Sequence, residues 1–190
     1  MNPLGRRPPR PEPSDVPDDA PTDPLEIFRT LNRHEVDYMV IGGVAVQAYG
    51  HVRTTQDVDV LVAPAESNLE NLAAALRELR ARLKGVDADL LGIDPTDPAH
   101  LRDGANFGLA TRAGGLDVWT DVAALKGARS WVAMRGRAVP AEVGGERINF
   151  VDRDDLIRMK HAAGRPRDLE DIAALTSYED RESRSPDSPA

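Results

Sequence analysis

The segment that decides the fold runs from residue 38 to residue 62 and reads YMVIGGVAVQAYGHVRTTQDVDVLV. Its first four residues are apolar and predict a short buried strand, which ends at the Gly42-Gly43 pair. The residues after the glycines predict a helix of one or two turns. From Asp57 to Val62, acidic and apolar residues alternate before the sequence becomes wholly apolar. This pattern predicts a second strand whose first half borders a polar cleft and whose second half lies in the core.

The spacing of Asp57 and Asp59 predicts a metal site. Residues two apart in a strand point to the same side, so the two carboxylates project together and repel each other. A divalent cation between them relieves the repulsion, and hard oxygen ligands suit Mg²⁺ or Mn²⁺. Gly42 and Gly43 lack Cβ atoms, so backbone N–H groups there can approach a phosphate at the start of a helix.

Length and composition predict one folded domain with extended ends. The chain has 190 residues, and residues 1–24 hold eight of its fifteen prolines among few apolar residues. We expect 1–24 and 178–190 to be disordered tails around a domain at 25–177.

Charge and residue usage exclude several classes of protein. The chain has no cysteine, which excludes a disulfide framework and a thiolate metal site and fits a reducing cytoplasm. No apolar run is long enough to cross a membrane, so we expect a cytoplasmic protein without a membrane partner. The net charge of −8 argues against indiscriminate nucleic-acid binding, although a local basic patch could still hold RNA.

The middle of the chain predicts a long helix followed by a hairpin. A leucine stripe predicts a helix from Pro64 to Gly85, and residues 86–102 read as a connection. Residues 105–112 and 116–122 predict two strands joined at 113–115. On the second of them Asp117 and Asp121 share one face, and pairing with the Asp57 strand would place Asp117 beside the two carboxylates. Asp121 is the rival position at the far end of the strand, and either residue can also be a simple strand-end charge.

Short apolar runs between residues 130 and 151, including Trp131–Met134, predict two or three strands. Basic residues cluster nearby, either as an acceptor-binding surface or as scattered surface charges: Lys126, Arg129, Arg135 and Arg137.

The C-terminal part predicts two helices. Asp152 can cap a helix that ends at Gly164, and Pro166 can begin the next. Charged residues lie along and between these helices: Lys160, Arg165, Arg167, Asp168 and Asp171.

A double glycine after a strand, thirteen intervening residues and Asp-x-Asp at the head of another strand resemble the signature of the polymerase-β-like nucleotidyltransferase superfamily. More narrowly, 53–59 (RTTQDVD) and 164–171 (GRPRDLED) resemble the small bacterial nucleotidyltransferases of the AbiEii toxin type. The resemblance covers residues 25 to 175. It implies an α/β fold in which a small mixed sheet is flanked by helices and C-terminal helices close one side of the cleft.

The resemblance also implies an activity, the transfer of a nucleoside monophosphate from an NTP to an acceptor hydroxyl. Asp57 and Asp59 would bind the magnesium that grips the triphosphate, and Asp117 would supply a third carboxylate. Lys160 would contact the phosphates, and further nucleotide contacts are implied for Gly42, Gly43, Arg53, Thr55, Arg165 and Asp168. The alternative for Asp168, Asp171 and Lys160 is an ion-pair network that ties two helices together.

The acceptor is left open. The AbiEii-type resemblance implies tRNA, another RNA end or a protein side chain, together with a cognate antitoxin. A similarity to small antibiotic-modifying nucleotidyltransferases implies a drug hydroxyl instead. A third interpretation is a non-catalytic nucleotide-binding or partner-binding module, which has no need of paired carboxylates.

Overall fold

The computed structural model describes residues 16–85, 92–102, 106–120 and 131–182. The helices within these ranges are α1 Pro24–Arg33, α2 Gly42–Ala48, α3 Glu66–Glu78, α4 Pro98–Arg102, α5 Trp131–Arg135, α6 Arg153–Ala163 and α7 Pro166–Glu182. The strands are β1 Tyr38–Ile41, β2 Asp57–Val62, β3 Arg82–Leu83, β4 Asn106–Thr111, β5 Gly114–Trp119, β6 Val139–Val143 and β7 Glu146–Phe150.

All seven strands form one mixed sheet in the order β3-β4-β5-β2-β1-β7-β6. Strand β2 lies at its centre, antiparallel to β1 and parallel to β5. Strand β1 pairs in parallel with β7 on its other side. The predicted α/β fold with a mixed sheet is therefore confirmed.

The core explains why β2 presents its acidic residues to one side. Val58 and Val60 are fully buried in the same hydrophobic core as the apolar residues of α1 and α3. Burying such a side chain stabilises the fold by about 1.5–3 kcal/mol. Since neighbouring residues in a strand point to opposite faces, Asp57 and Asp59 are held on the face away from this core.

Two helices have well-formed caps, of which those at Asp152 and Gly164 are predicted from the sequence. The side chain of Asp23 accepts a hydrogen bond from the backbone N–H of Glu26 at 3.1 Å, at the start of α1. Asp152 caps α6 in the same way and accepts from the N–H of Asp154 at 3.0 Å. Gly164 ends α6 in the left-handed conformation, with φ of 63°.

The predicted helix from Pro64 to Gly85 is too long. Helix α3 ends at Glu78, and Arg80 adopts a φ of 52°, which a helix cannot continue through. The chain then enters β3, where Leu83 pairs with Leu109 of β4. The leucine stripe predicts too long a helix because Leu79 is still buried in the core although it lies past the helix end.

The predicted strand at Trp131–Met134 is also wrong, because this segment forms helix α5. The short helix buries Met134 and leaves Val132 exposed, so its apolar residues do not share one face as a strand would require. The segment read as a connection at 86–102 contains helix α4, and its residues 86–91 lie outside the described residues.

Residues 16–23, inside the segment predicted as a tail, contact the domain. Val16 is buried, and its carbonyl accepts a hydrogen bond from Arg82 Nε at 3.0 Å. The backbone N–H of Gly115 donates to Thr22 Oγ1 at 3.0 Å. At the other end, α7 runs past residue 177 to Glu182. Among the helices described, none is both long and apolar enough to span a membrane.

Candidate active site

The register of β2 and β5 brings three carboxylates to one face of the sheet. Asp59 lies opposite Asp117, and Asp57 lies opposite Gly115. Residues paired across neighbouring strands point to the same side, on strands about 4.8 Å apart. We call Asp57, Asp59 and Asp117 the carboxylate cluster. Asp117 therefore stands where the sequence predicts it, whereas Asp121 lies outside the described residues.

Glycines make room for these carboxylates. A Cβ added at Gly115 would overlap the carboxylate of Asp57, and one added at Gly42 would overlap that of Asp59. Gly42 also has a φ of 62°, a conformation that other residues adopt at a cost. The backbone N–H of Gly43 donates a hydrogen bond to Asp59. The Gly-Gly turn therefore shapes the cluster directly.

The cluster carries excess negative charge. Burial raises the pKa of Asp59, and this effect is opposed by the hydrogen bond from Gly43 and by the nearby charge of Lys160. Burial also raises the pKa of Asp117 to about 6, and repulsion from Asp59 and Asp57 adds to the shift. Lys84 is one of the cations that oppose this shift. Burial is thus the main cause of both upward shifts, and the neighbouring carboxylates add to the shift in the pKa of Asp117.

A buried indole N–H lies close to the cluster. Trp119 Nε1 is near enough to Asp59 to lower the pKa of that carboxyl. Within the described residues, however, this nitrogen has no hydrogen-bond partner of normal geometry.

Across residues 16–85, 92–102, 106–120 and 131–177, no three Asp, Glu, His or Cys side chains are already gathered as a metal-ligand set. Of the three cluster acids, Asp57 already has a cationic partner. Its Oδ1 forms an ion pair with the ammonium of Lys84, which follows β3.

Lys84 is the residue of the site that the sequence interpretation missed. The predicted helix from Pro64 to Gly85 includes Lys84 and therefore hides the strand β3 that precedes it. The signal that could have found it is the alternation after Arg80, where Leu83 is followed by a charged residue and Gly85, as at the end of a short strand.

Beside the cluster, ion pairs on two buried aspartates join α6, α7 and the loop before β2. Lys160 Nζ lies 3.1 Å from Asp168 Oδ1 and 2.7 Å from Asp171 Oδ2. Arg165 Nε lies 2.9 Å from Asp168 Oδ2, and Arg53 pairs with Asp171. We call these five residues the helix-pair network. Lys160, Asp168 and Asp171 thus form the ion-pair network that the sequence offered as the alternative to nucleotide binding.

The network also reaches the cluster electrostatically. Desolvation raises the pKa of Asp168, but hydrogen bonds from Arg165 and Lys160 outweigh it, so this pKa is lowered. Burial raises the pKa of both Asp59 and Asp117, and the charge of Lys160 opposes the first shift while that of Arg165 opposes the second. The network cations are therefore close enough to act on charges in the cleft.

The loop before β2 is tied down at several points. Thr55 Oγ1 donates to the carbonyl of Asp57 at 3.1 Å. The same oxygen would lie only 2.7 Å from a Cβ at Gly43. Arg167 donates to the carbonyl of Thr54 at 2.9 Å. Arg53 and Thr55, predicted as nucleotide contacts, are both used in holding this loop against its neighbours.

The basic residues predicted as an acceptor-binding surface have other partners. Arg135 pairs with Asp37 at 2.9 Å, and Arg137 pairs with the fully buried Asp155 at 2.5 Å. Lys126 and Arg129 lie outside the described residues. Arg135 and Arg137 therefore form ion pairs within the domain.

Comparison with known proteins gives matches in structure. No family model matches the sequence, and no curated protein matches it significantly. The structure of ANT(2″)-Ia in complex with adenylyl-2″-tobramycin is similar over 84% of this chain and 88% of its own, with 17% identity and a TM-score of 0.53. That of the lincosamide antibiotic adenylyltransferase LnuA, lincomycin-bound, is similar over 83% of this chain and 99% of its own, with 14% identity and a TM-score of 0.55. The likeness over most of both chains assigns this protein the nucleotidyltransferase fold.

Proposed function

We propose that this protein is a divalent-metal-dependent nucleotidyltransferase that moves a nucleoside monophosphate from an NTP to an acceptor hydroxyl and releases pyrophosphate. The observation that carries the proposal is the β2–β5 register, which places Asp57, Asp59 and Asp117 on one face. A binding module or a purely structural protein has no need of three carboxylates placed where they repel each other.

The donor chemistry of the cluster fits Mg²⁺ or Mn²⁺. Carboxylate oxygens are the ligands that these hard cations prefer. Burial raises the pKa of Asp117, and repulsion from Asp59 and Asp57, which a cation would relieve, adds to the shift. Asp57, Asp59 and Asp117 would hold the ion. Bound there, a divalent cation neutralises triphosphate charge and stabilises the attacking and leaving oxygens.

Lys160 and Arg165 supply positive charge on the neighbouring side of the cleft. Lys160 is almost completely buried and fixed by two carboxylates, so its charge is held in place where phosphate charge develops. The Arg165 side chain is 71% exposed and can contact the nucleotide from the rim. Asp168 would position Lys160 and Arg165. Arg53 and Thr55 would position the loop that packs against the Gly42-Gly43 turn.

The proposal includes two candidate classes of acceptor for the nucleoside monophosphate. An AbiEii-type toxin would modify tRNA or another RNA and would be neutralised by an antitoxin. The second class is the hydroxyl of a small molecule, which the names of the antibiotic-adenylylating enzymes of this fold support.

The proposal is tested by incubating the purified protein with each α-labelled NTP and Mg²⁺ or Mn²⁺. Total cellular RNA is added in one series and a panel of aminoglycosides and lincosamides in the other. We expect transfer of label to one acceptor class and loss of transfer in Asp57→Asn/Asp59→Asn. The matched control is Glu70→Gln, which removes an exposed carboxylate of α3.

Labelled RNA supports the toxin-type reaction, and labelled drug supports the small-molecule reaction. Label transfer that persists in the double variant would show that the cluster does not carry the chemistry. Absence of NTP binding by calorimetry in the presence of Mg²⁺ would remove the nucleotidyltransferase assignment altogether.

A further inference from the structure

Lys84 is held beside the carboxylate cluster at both of its ends. Its backbone N–H donates to the carbonyl of Gly108 on β4 at 2.9 Å. Its ammonium pairs with Asp57 Oδ1, and the two side chains are 24% and 32% exposed. The charge is therefore fixed beside the carboxylate cluster and is partly open to solvent.

The space around this ammonium depends on Gly115. A Cβ at Gly115 would lie 2.8 Å from Lys84 Nζ and would overlap the carboxylate of Asp57. Only a residue without a side chain lets the cation and the acid meet here. A compact ammonium suits such a place better than the broad guanidinium of arginine.

The choice of lysine stands out against the rest of the chain. Only three of its 24 basic residues are lysines: Lys84, Lys126 and Lys160. The two that the structure describes, Lys84 and Lys160, both pair with aspartates in or beside the cleft.

We propose that Lys84 is a resident counter-ion of the carboxylate cluster, which a divalent cation must displace from Asp57 in order to bind there. The proposal rests on the metal site of the proposed function. A divalent ion and an ammonium repel each other, so both cannot share one carboxylate oxygen without loss of affinity. Lys84 thus keeps the metal-free cluster stable and weakens metal binding when no nucleotide is present.

The test is a Mn²⁺ titration of the nucleotide-free protein, with free Mn²⁺ followed by electron paramagnetic resonance. Lys84→Met keeps most of the apolar stem and removes the charge. A partly exposed ion pair contributes up to about 1 kcal/mol, so we expect the Mn²⁺ dissociation constant to fall about two- to fivefold. The matched control is Arg82→Met, which removes a cation of β3 that contacts Val16 and Asp18 instead. Its dissociation constant should stay within about twofold of wild type.

An unchanged or weaker Mn²⁺ affinity in Lys84→Met, with clear binding by the wild type, would overturn the role of Lys84 and leave the proposed function intact. If neither protein binds Mn²⁺, even with an NTP present, the metal site itself is wrong and the role of Lys84 falls with it.

A second measurement needs no substitution. Lysine acetylation by acetic anhydride in the wild-type protein is followed by mass spectrometry, with and without Mg²⁺. Displacement of the ammonium predicts faster acetylation of Lys84 in Mg²⁺, while the rate at the buried Lys160 changes little. Equal rates at Lys84 in both conditions would contradict the proposal.

Discussion

The carboxylate cluster and the helix-pair network are neighbours built from the same residue types, and they differ in charge balance. Among the ion pairs of the described residues, only one of the three cluster aspartates, Asp57, has a partner, which is Lys84. The network places two aspartates, Asp168 and Asp171, among three cations.

The pKa directions follow this difference. Burial raises the pKa of Asp117 to about 6, whereas hydrogen bonds from Arg165 and Lys160 overcome burial and lower that of Asp168. Aspartates whose charge is matched by cations hold the fold together, while aspartates whose charge is not matched are placed for a cation from solution. The two groups therefore respond differently when a charge is removed.

The largest effect is expected for Asp59→Asn, which removes an unmatched charge. Nucleotidyl transfer should fall by about 10²–10³-fold or more, as when a preorganised electrostatic contact is lost. Stability should hold or rise, because the repulsion within the cluster decreases. Steady-state transfer rates and a thermal melt check both, with Glu70→Gln as control. A variant that keeps more than a tenth of the wild-type rate contradicts the assignment.

Asp171→Asn removes a matched charge and should act first on stability. It leaves Lys160 and Arg53 buried with one partner fewer, and breaking a buried ion pair costs about 3 kcal/mol. Urea unfolding measures the free energy, and Glu170→Gln, an exposed neighbour on α7, is the control. Equal stability of the two variants would mean that the network does not anchor the helices.

Asp117→Asn should change how stability depends on pH. The pKa of Asp117 in the folded protein, about 6, lies above its value of about 3.9 in an unfolded chain. The folded state therefore holds the proton more tightly, and the resulting stability is present below pH 4 and lost as the pH rises through 6.

Relative to Asp117→Asn, the wild type should lose up to about 3 kcal/mol between pH 4 and pH 7, less where solvent screens the charge. Urea unfolding at a series of pH values, with EDTA present, measures this difference. A difference that does not vary with pH would show that Asp117 titrates normally.

The smallest effect is expected for Arg167→Ala. This exposed side chain donates to the carbonyl of Thr54 at 2.9 Å, and one solvent-exposed hydrogen bond contributes about 0.5–1.5 kcal/mol at most. A loss well above that range in urea unfolding would place Arg167 among the anchoring contacts of α7.

The sequence predicts the centre of this fold well because local pattern and tertiary environment agree there. The alternation from Asp57 to Val62 and the caps at Asp152 and Gly164 each follow from short-range rules, and the structure confirms them. The place of Asp117 could also be predicted, since its strand has a matching pattern and needs a partner.

The sequence-based predictions fail where contacts between distant residues override the local sequence pattern. Leu83 continues a helical leucine stripe, yet pairing with Leu109 of β4 draws it into a strand. The ion pair of Lys84 with Asp57 depends on that strand and on Gly115. The alternation after Arg80 is typical of a strand, but no spacing rule links residues 57, 84 and 115, so the ion pair itself could not be predicted from sequence.

The parallel pairing of β2 with β5 has a consequence for the folding of the chain. Asp57 and Asp59 are separated from Asp117 by more than fifty residues of sequence, and the intervening segment must close as a long loop before the strands can align. That alignment also has to overcome the mutual repulsion of the acids. Intermediates in which β5 has not yet docked would bind Mn²⁺ poorly, so metal affinity measured during refolding would report the arrival of this strand.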